Sequence, residues 1–162
     1  SYYEASISNS NPILHPARLY TMWKDWQPGI TYPRNCAFYG EWTDEASAIY
    51  IEMDKELHDL LKELPVSADC LPTVLDYYES NDAPSLTRKL RSSKAFQGIL
   101  SPMKETAEGF VPDLRSRYFT EDFPYGLNLL RQLAKEKNVN TPTMDEVQRW
   151  GQQMIRYADN ND

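Results

Sequence analysis

The amino-acid sequence predicts an all-α domain with an irregular, multi-helix layout, and three observations carry that prediction. "GEWTDEASAIYIEMDKELHDLLKELP" sets Ala46, Ile49, Tyr50, Met53, Leu57, Leu60, Leu61 and Leu64 at steps of three and four, one helical stripe from end to end. Helix-start chemistry recurs at Pro16, at Thr43, and at Thr141 before Pro142. Nowhere does a sustained period-two run demand a sheet.

In chain order, "HPARLYTMWKDW" should be helical after Pro16, and "QPGITYPRNCAFYGEW" is a loop rich in turn formers. The long helix follows. Thr43 is its N-cap, Asp44 and Glu45 suit the positive end of its dipole, and Pro65 marks its stop. Shorter helices are expected within 71–80, 84–93 and 94–106, separated by Pro72, by "NDAP" and by Ser92-Ser93. "PYGLNLLRQLAKEK" reads as a helix from Pro124 to Lys137 with Leu127, Leu130, Leu133 and Ala134 inward. In "NTPTMDEVQRWGQQMIRYA", Thr141 caps a helix with proline in its first turn. Thr143 and Glu146 offer a rival capping box, and Val147, Trp150, Met154 and Ala158 line one side. No internal repeat or low-complexity tract interrupts the chain.

Composition narrows the function. The 162 residues fit one domain, and an apolar content of 41% with 12% aromatics describes a folding chain. A net charge of -7 argues against nucleic acid and against an anionic membrane surface as partners. No apolar run approaches the roughly 20 residues of a membrane span, and no signal-like segment opens the sequence. Cys36 and Cys70 are too few and unpatterned for a disulfide scaffold, so a cytoplasmic location is expected. No two of the six glycines lie within ten residues of each other, which leaves no glycine-rich phosphate loop. The abrupt start at "SYYEAS" suggests a domain cut from a longer protein.

Few groups are suited to chemistry. His58 lies on the charged side of the long helix among Asp54, Glu56 and Asp59, where a solvated histidine is the plain reading. His15 stands between two prolines in "SNSNPILHPARL", where the backbone is stiff; on sequence physics alone a structural or capping histidine is favoured there. Zinc held by His15, Cys36, His58 and Cys70 would lack the close ligand pairs of structural sites. No serine elbow or flanked cysteine nucleophile is present. "TRKLRSSK" (Arg88, Lys89, Arg91, Lys94) reads as a solvated helix face before it reads as an anion site. "SRYFTEDFPYGL" places Arg117 five residues before Asp122. Glu121 beside it suits a helix start, and Asp122 itself stands where a cap belongs.

"NSNPILHPARLY", "SKAFQGILSPMKET", "GFVPDLRSRYFTEDFPYGL" and "TPTMDEVQRW" together resemble the C-terminal helical domain of the NAD/NADP octopine/nopaline (opine) dehydrogenases, from about Asn9 to about Ile155. The His-Pro element and the Arg-Tyr…Thr-Glu-Asp…Pro element are the specific parts. The resemblance implies an irregular helical fold similar to the 6-phosphogluconate dehydrogenase C-terminal-like domain. It also implies an N-terminal Rossmann domain, absent from this chain, that binds most of the NAD or NADP. The implied reaction is an NAD(P)H-dependent reductive condensation of an L-amino acid with an α-keto acid such as pyruvate. His15 is then the catalytic histidine, Asp122 the aspartate that orients it, and Arg117 the binder of a substrate carboxylate. Residues 1–162 would form the substrate-binding and catalytic domain, inactive without its Rossmann partner, with a homodimer as a further expectation. The competing reading is a non-catalytic helical interaction or dimerisation module derived from a dehydrogenase.

Overall fold

Helix α1 (Asn11–Trp23) begins before the His-Pro step, not after Pro16 as its sequence suggests, and carries Pro16 inside it. Proline there costs the bond to the Pro12 carbonyl, but Ile13, Leu14, Ala17 and Leu19 of the same helix are buried, and their burial outweighs one lost bond. The structure is a computed structural model and describes residues 11–67 and 71–161.

Helix α2 (Asp44–Leu61) follows its sequence signals closely. The Thr43 hydroxyl accepts the Ala46 amide, and Ala46, Tyr50, Met53, Leu57, Leu60 and Leu61 are buried as one stripe. Asp54 and Glu56, on its charged side, are also buried. Two short helices come next, α3 (Val74–Tyr77) and α4 (Ala83–Ser92). Thr73 caps the first, and a reciprocal Asp82–Ser85 capping box starts the second.

The helix expected within 94–106 does not form. A single 3-10 turn, Lys94–Phe96, gives way to an antiparallel hairpin of β1 (Met103–Thr106) and β2 (Gly109–Pro112), with Met103 opposite Pro112 and Thr106 opposite Gly109. Gly98 at φ +81° takes the chain out of the helical region. Tyr32 then exchanges both backbone hydrogen bonds with Phe110. At Gly109 (φ +137°) a Cβ would lie 2.8 Å from the Tyr32 carbonyl oxygen, so this close approach requires glycine. Strands of four residues are too short to display a period-two signal. The class is still mostly helical.

The last third holds α5 (Arg117–Thr120), a π-helical turn (Phe123–Leu127), α6 (Asn128–Glu136) and α7 (Pro142–Asn160). The helix expected from Pro124 therefore opens as a wide turn before it becomes α-helical. Helix α7 starts where "TP" places it, but neither expected cap forms. The Thr141 hydroxyl donates to Asp145, and the Thr143 and Met144 amides donate to the two carboxylate oxygens of Glu56 at 2.8 and 2.9 Å. Helix α1 lies against α2, α7 and the π turn, and α2 also packs on α4. Trp23, Phe119, Phe123 and Trp150 form the aromatic centre beneath α1. No helix among the described residues is long and apolar enough to cross a membrane.

Candidate active site

Two locally irregular segments meet at His15. Its Nδ1 lies 2.7 Å from Asp122 Oδ2, across a sequence separation of 107 residues. Its Nε2 lies 3.1 Å from the Tyr39 hydroxyl. Tyr118 stacks on the ring at 4.5 Å and 20°, and Phe38 meets it edge-on at 5.8 Å. The imidazole is 12% exposed and the carboxylate 21%, so the pair is shielded yet open on one side.

The backbone explains why Asp122 is free for this contact. Asp122 stands at the head of the π turn with helical φ and ψ (-67°, -32°), and its side chain makes no cap bond. An N-cap needs extended backbone to bend its oxygen onto the next amides. In the wider turn the Asp122 carbonyl accepts from Leu127 N at 2.8 Å, and the carboxylate points elsewhere. Two glycine contacts hold the turn in place. A Cβ on Gly126 would come within 3.2 Å of Pro12 Cβ, so glycine lets the turn press onto the first turn of α1, three residues before His15. A Cβ on Gly151 would come within 2.1 Å of the Phe123 ring, so glycine seats Phe123, the neighbour of Asp122, against α7.

Arg18, one turn beyond His15, fixes the loop that carries Tyr39. It is buried, donates through Nε to the Phe38 carbonyl at 2.9 Å and through Nη2 to the Ala37 carbonyl at 3.3 Å, and lies over the Phe38 and Trp42 rings. Burial holds its pKa below the ordinary arginine value. Burial also pushes the Tyr39 phenol upward, with smaller contributions from Tyr118, Tyr78 and Asp122. The Tyr118 phenol is raised by burial first and by Asp122 second. Both hydroxyls therefore stay protonated at neutral pH. With Nδ1–H given to the carboxylate, Nε2 of a neutral ring accepts and Tyr39 donates.

Of the three site residues expected from sequence, the structure brings the His15 and Asp122 side chains into contact, while Arg117 joins them through its backbone, its carbonyl accepting the Asp122 amide at 3.4 Å. Arg117 is 86% exposed, with Nε 3.4 Å from Glu121 Oε1. Glu121 closes the end of α5, lies beside that arginine, and through its carbonyl accepts the Tyr125 amide of the following π turn at 2.9 Å. His58 is not the solvated histidine its neighbours suggested. Its side chain is only 20% exposed, and Asp54, 3.5 Å away, holds its pKa above the ordinary histidine value. Cys36 lies 3.2 Å from Ser101 Oγ, and Cys70 falls outside the described residues. No cluster of three or more His, Cys, Asp or Glu among the described residues is arranged to hold a metal ion. Arg88, Lys89, Arg91 and Lys94 are exposed, and Arg91 also donates through Nε to the Trp42 carbonyl at 2.6 Å. Sequence reasoning missed Arg18, Phe38, Tyr39 and Tyr118; the aromatic density of "AFYGEW" in an otherwise turn-rich loop was the only available signal for Phe38 and Tyr39.

Known proteins share this architecture. An opine dehydrogenase from Haliotis discus hannai is 36% identical, covering 94% of this chain and 40% of the relative. A tauropine dehydrogenase from Arabella iricolor is 28% identical, covering 93% of this chain and 41% of its own length. A solved structure of octopine dehydrogenase with NADH and L-arginine superposes with a TM-score of 0.78 at 25% identity, covering 95% of this chain and 40% of that one. The chain thus spans about two-fifths of the length of these relatives. Residues 1–155 match the family described as NAD/NADP octopine/nopaline dehydrogenase, alpha-helical domain, and the chain belongs to that family.

Proposed function

We propose that this chain is the substrate-binding and catalytic half of an opine dehydrogenase, which joins the amino group of an L-amino acid to an α-keto acid and reduces the resulting imine. The contact between His15 Nδ1 and Asp122 Oδ2 at 2.7 Å carries the reading. NADH or NADPH supplies the hydride when bound. With no glycine-rich loop in this sequence, we assign the dinucleotide mainly to an N-terminal Rossmann domain outside it.

The residues of this chain handle protons and charge. Asp122 orients the imidazole through Nδ1 and stabilises its protonated form, as the carboxylate does in other acid–base pairs. His15 then delivers a proton through Nε2 to the keto oxygen as it leaves as water, which returns the imidazole to its neutral form beside the Asp122 carboxylate. A histidine, with an ordinary pKa of about 6.5, suits that exchange near neutral pH. The Arg117 guanidinium, free of the core and only loosely paired, offers a planar fork of donors to a substrate carboxylate. Tyr125 and Leu129, both exposed and one turn apart just beyond Asp122, lie on the face we assign to the missing domain.

The test uses the full-length enzyme with a panel of L-amino acids and pyruvate. His15→Ala should cut kcat by roughly 10²–10⁴-fold, and Arg117→Ala should mainly raise KM for the carboxylate substrates. Wild-type turnover by His15→Ala would overturn the reading in favour of a non-catalytic helical module.

A further inference from the structure

Helix α7 carries a polar stripe that the proposed chemistry leaves unused. Asp145, Arg149, Gln152 and Arg156 follow one another at steps of four, three and four, so they share one face. That face meets Asn128 and Arg131 of α6 across a groove of about 260 Å³. Three guanidinium groups line the groove against a single carboxylate, in a chain whose net charge is -7.

The one acid is already engaged. Arg131 donates through Nε to Asp145 at 2.6 Å and through Nη1 to Asn128 at 2.9 Å, and the Thr141 hydroxyl donates to the same Asp145 oxygen at 3.1 Å. Arg131 is thereby held in place with its Nη2 bonded to no other described residue. Arg149 and Arg156 are exposed and make no ion pair or hydrogen bond with any described residue. Beside Arg149, Gln148 lines the groove yet is only 3% exposed. Its amide bonds no other described residue, and its Oε1 is sealed from solvent without a donor. Buried amides are nearly always paired, because an unpaired one loses its hydration and gains nothing. A buried amide without a protein partner, in the wall of a cationic groove, calls for a partner from outside the chain.

We propose that this groove binds a small dianion, a phosphate or dicarboxylate group, between Arg149 and Arg156 with Arg131 Nη2 opposite. Each guanidinium presents a planar fork of donors that matches two oxygens of either group. The Gln148 amide adds a neutral donor to the same oxygens. Two unpaired arginines match two negative charges. Seven helical residues set their backbones about 10 Å apart, a span that two long side chains close around one ion or the two ends of a short dicarboxylate. Occupancy also reaches the candidate site through the fold. Asn128 follows the π turn directly, and Gly151, which seats Phe123, lies between Gln148 and Gln152. A ligand that ties α6 to α7 braces the turn headed by Asp122. This role is independent of the reaction assigned to His15 and Asp122.

The experiment titrates the full-length enzyme by calorimetry with inorganic phosphate and, separately, with succinate, at constant ionic strength set by chloride. Saturable binding of at least one of the two is expected; tighter phosphate marks a phosphorylated ligand, and tighter succinate a dicarboxylate. Arg149→Ala combined with Arg156→Ala should weaken that binding at least tenfold, while circular dichroism keeps its helical signal. Arg117→Ala should leave it unchanged, which separates the groove from the substrate site. Gln148→Leu keeps the bulk and removes the amide. It should weaken binding several-fold and raise the melting temperature of the ligand-free enzyme, since an unpaired buried group is lost. No saturable binding, binding undiminished in the double variant, binding lost in Arg117→Ala, or a melting temperature lowered by Gln148→Leu would overturn the proposal. No step reads turnover, so an inactive enzyme would count against the proposed function and still decide the role of the groove.

Discussion

Glu56 sits in the middle of α2 and caps a different helix, whereas Asp122 sits at the head of a helical segment and caps nothing. Glu56 gives both carboxylate oxygens to the first free amides of α7, and Asp54, half a turn before it, accepts the Val74 amide that opens α3. Asp122 gives its carboxylate to a histidine 107 positions away. Both acids are used where a donor would otherwise lack a partner, but the donors differ. Backbone amides at a helix start exist in every helix, so the acids of α2 serve stability. An imidazole is an acid–base group, so on the proposed function the acid of the π turn serves chemistry. The position of an acid along a helix does not decide which service it performs; the group packed against it does.

That contrast can be broken by experiment, beginning with the largest effect. In the full-length enzyme, Asp122→Asn should lower kcat by roughly 10²–10⁴-fold, while a urea melt should place its midpoint near that of the wild type. A large loss of stability with turnover intact would give Asp122 the structural role. Glu56→Ala should behave in the opposite way. It leaves one buried and one part-buried amide without their acceptors and should cost about 2–3 kcal/mol in unfolding free energy, with turnover per folded molecule kept.

Gly151→Ala tests the link between the regions, since a Cβ there meets the Phe123 ring. Overpacking of this kind costs about 1–3 kcal/mol. The displacement should also reach Asp122, one residue earlier, and appear as a fall in kcat alongside a lower melting temperature. A variant that loses stability but keeps kcat would show that the π turn tolerates movement at Phe123.

The smallest effect concerns His58. Its raised pKa, held up by Asp54, means that the folded chain binds this proton more tightly than the unfolded one. The contribution is fully present below the ordinary value of about 6.5 and is lost as pH rises through the higher folded value. His58→Gln should therefore lower stability by less than about 1 kcal/mol at pH 5.5 and by nothing measurable at pH 9, as read by melts at the two pH values. An equal loss at both would assign His58 to packing rather than to charge.

Local signals made much of the helical layout legible. The stripe of α2, its Thr43 cap, the helix expected within 84–93 and the "TP" start of α7 all appear in the structure within a residue or so of where the sequence places them. Each is a matter of neighbours within four or five positions, where caps and helical periodicity act. The 94–106 segment went astray for a physical reason: its hairpin is held by Tyr32, far back in the chain, and by glycine at two positive-φ positions. Pro16 misled in the same way, because burial along α1 outweighed its local cost.

The candidate site was legible only in part. The residue types of His15 and Asp122, and the motifs around them, could be singled out from the sequence, and the resemblance joined them. Tyr39, Tyr118 and Arg18 could not, since none follows a spacing rule and all three matter through what packs against them. The sequence by itself determined the helical class, the main helix starts and the stiff His-Pro and Asp-x-Pro segments, because those depend on contacts a few residues apart. Only the tertiary structure decided that Asp122 would meet His15 and that Glu56 would cap α7. Those contacts require Gly126 against Pro12, Gly151 beneath Phe123 and helices from opposite ends of the chain packed at close range.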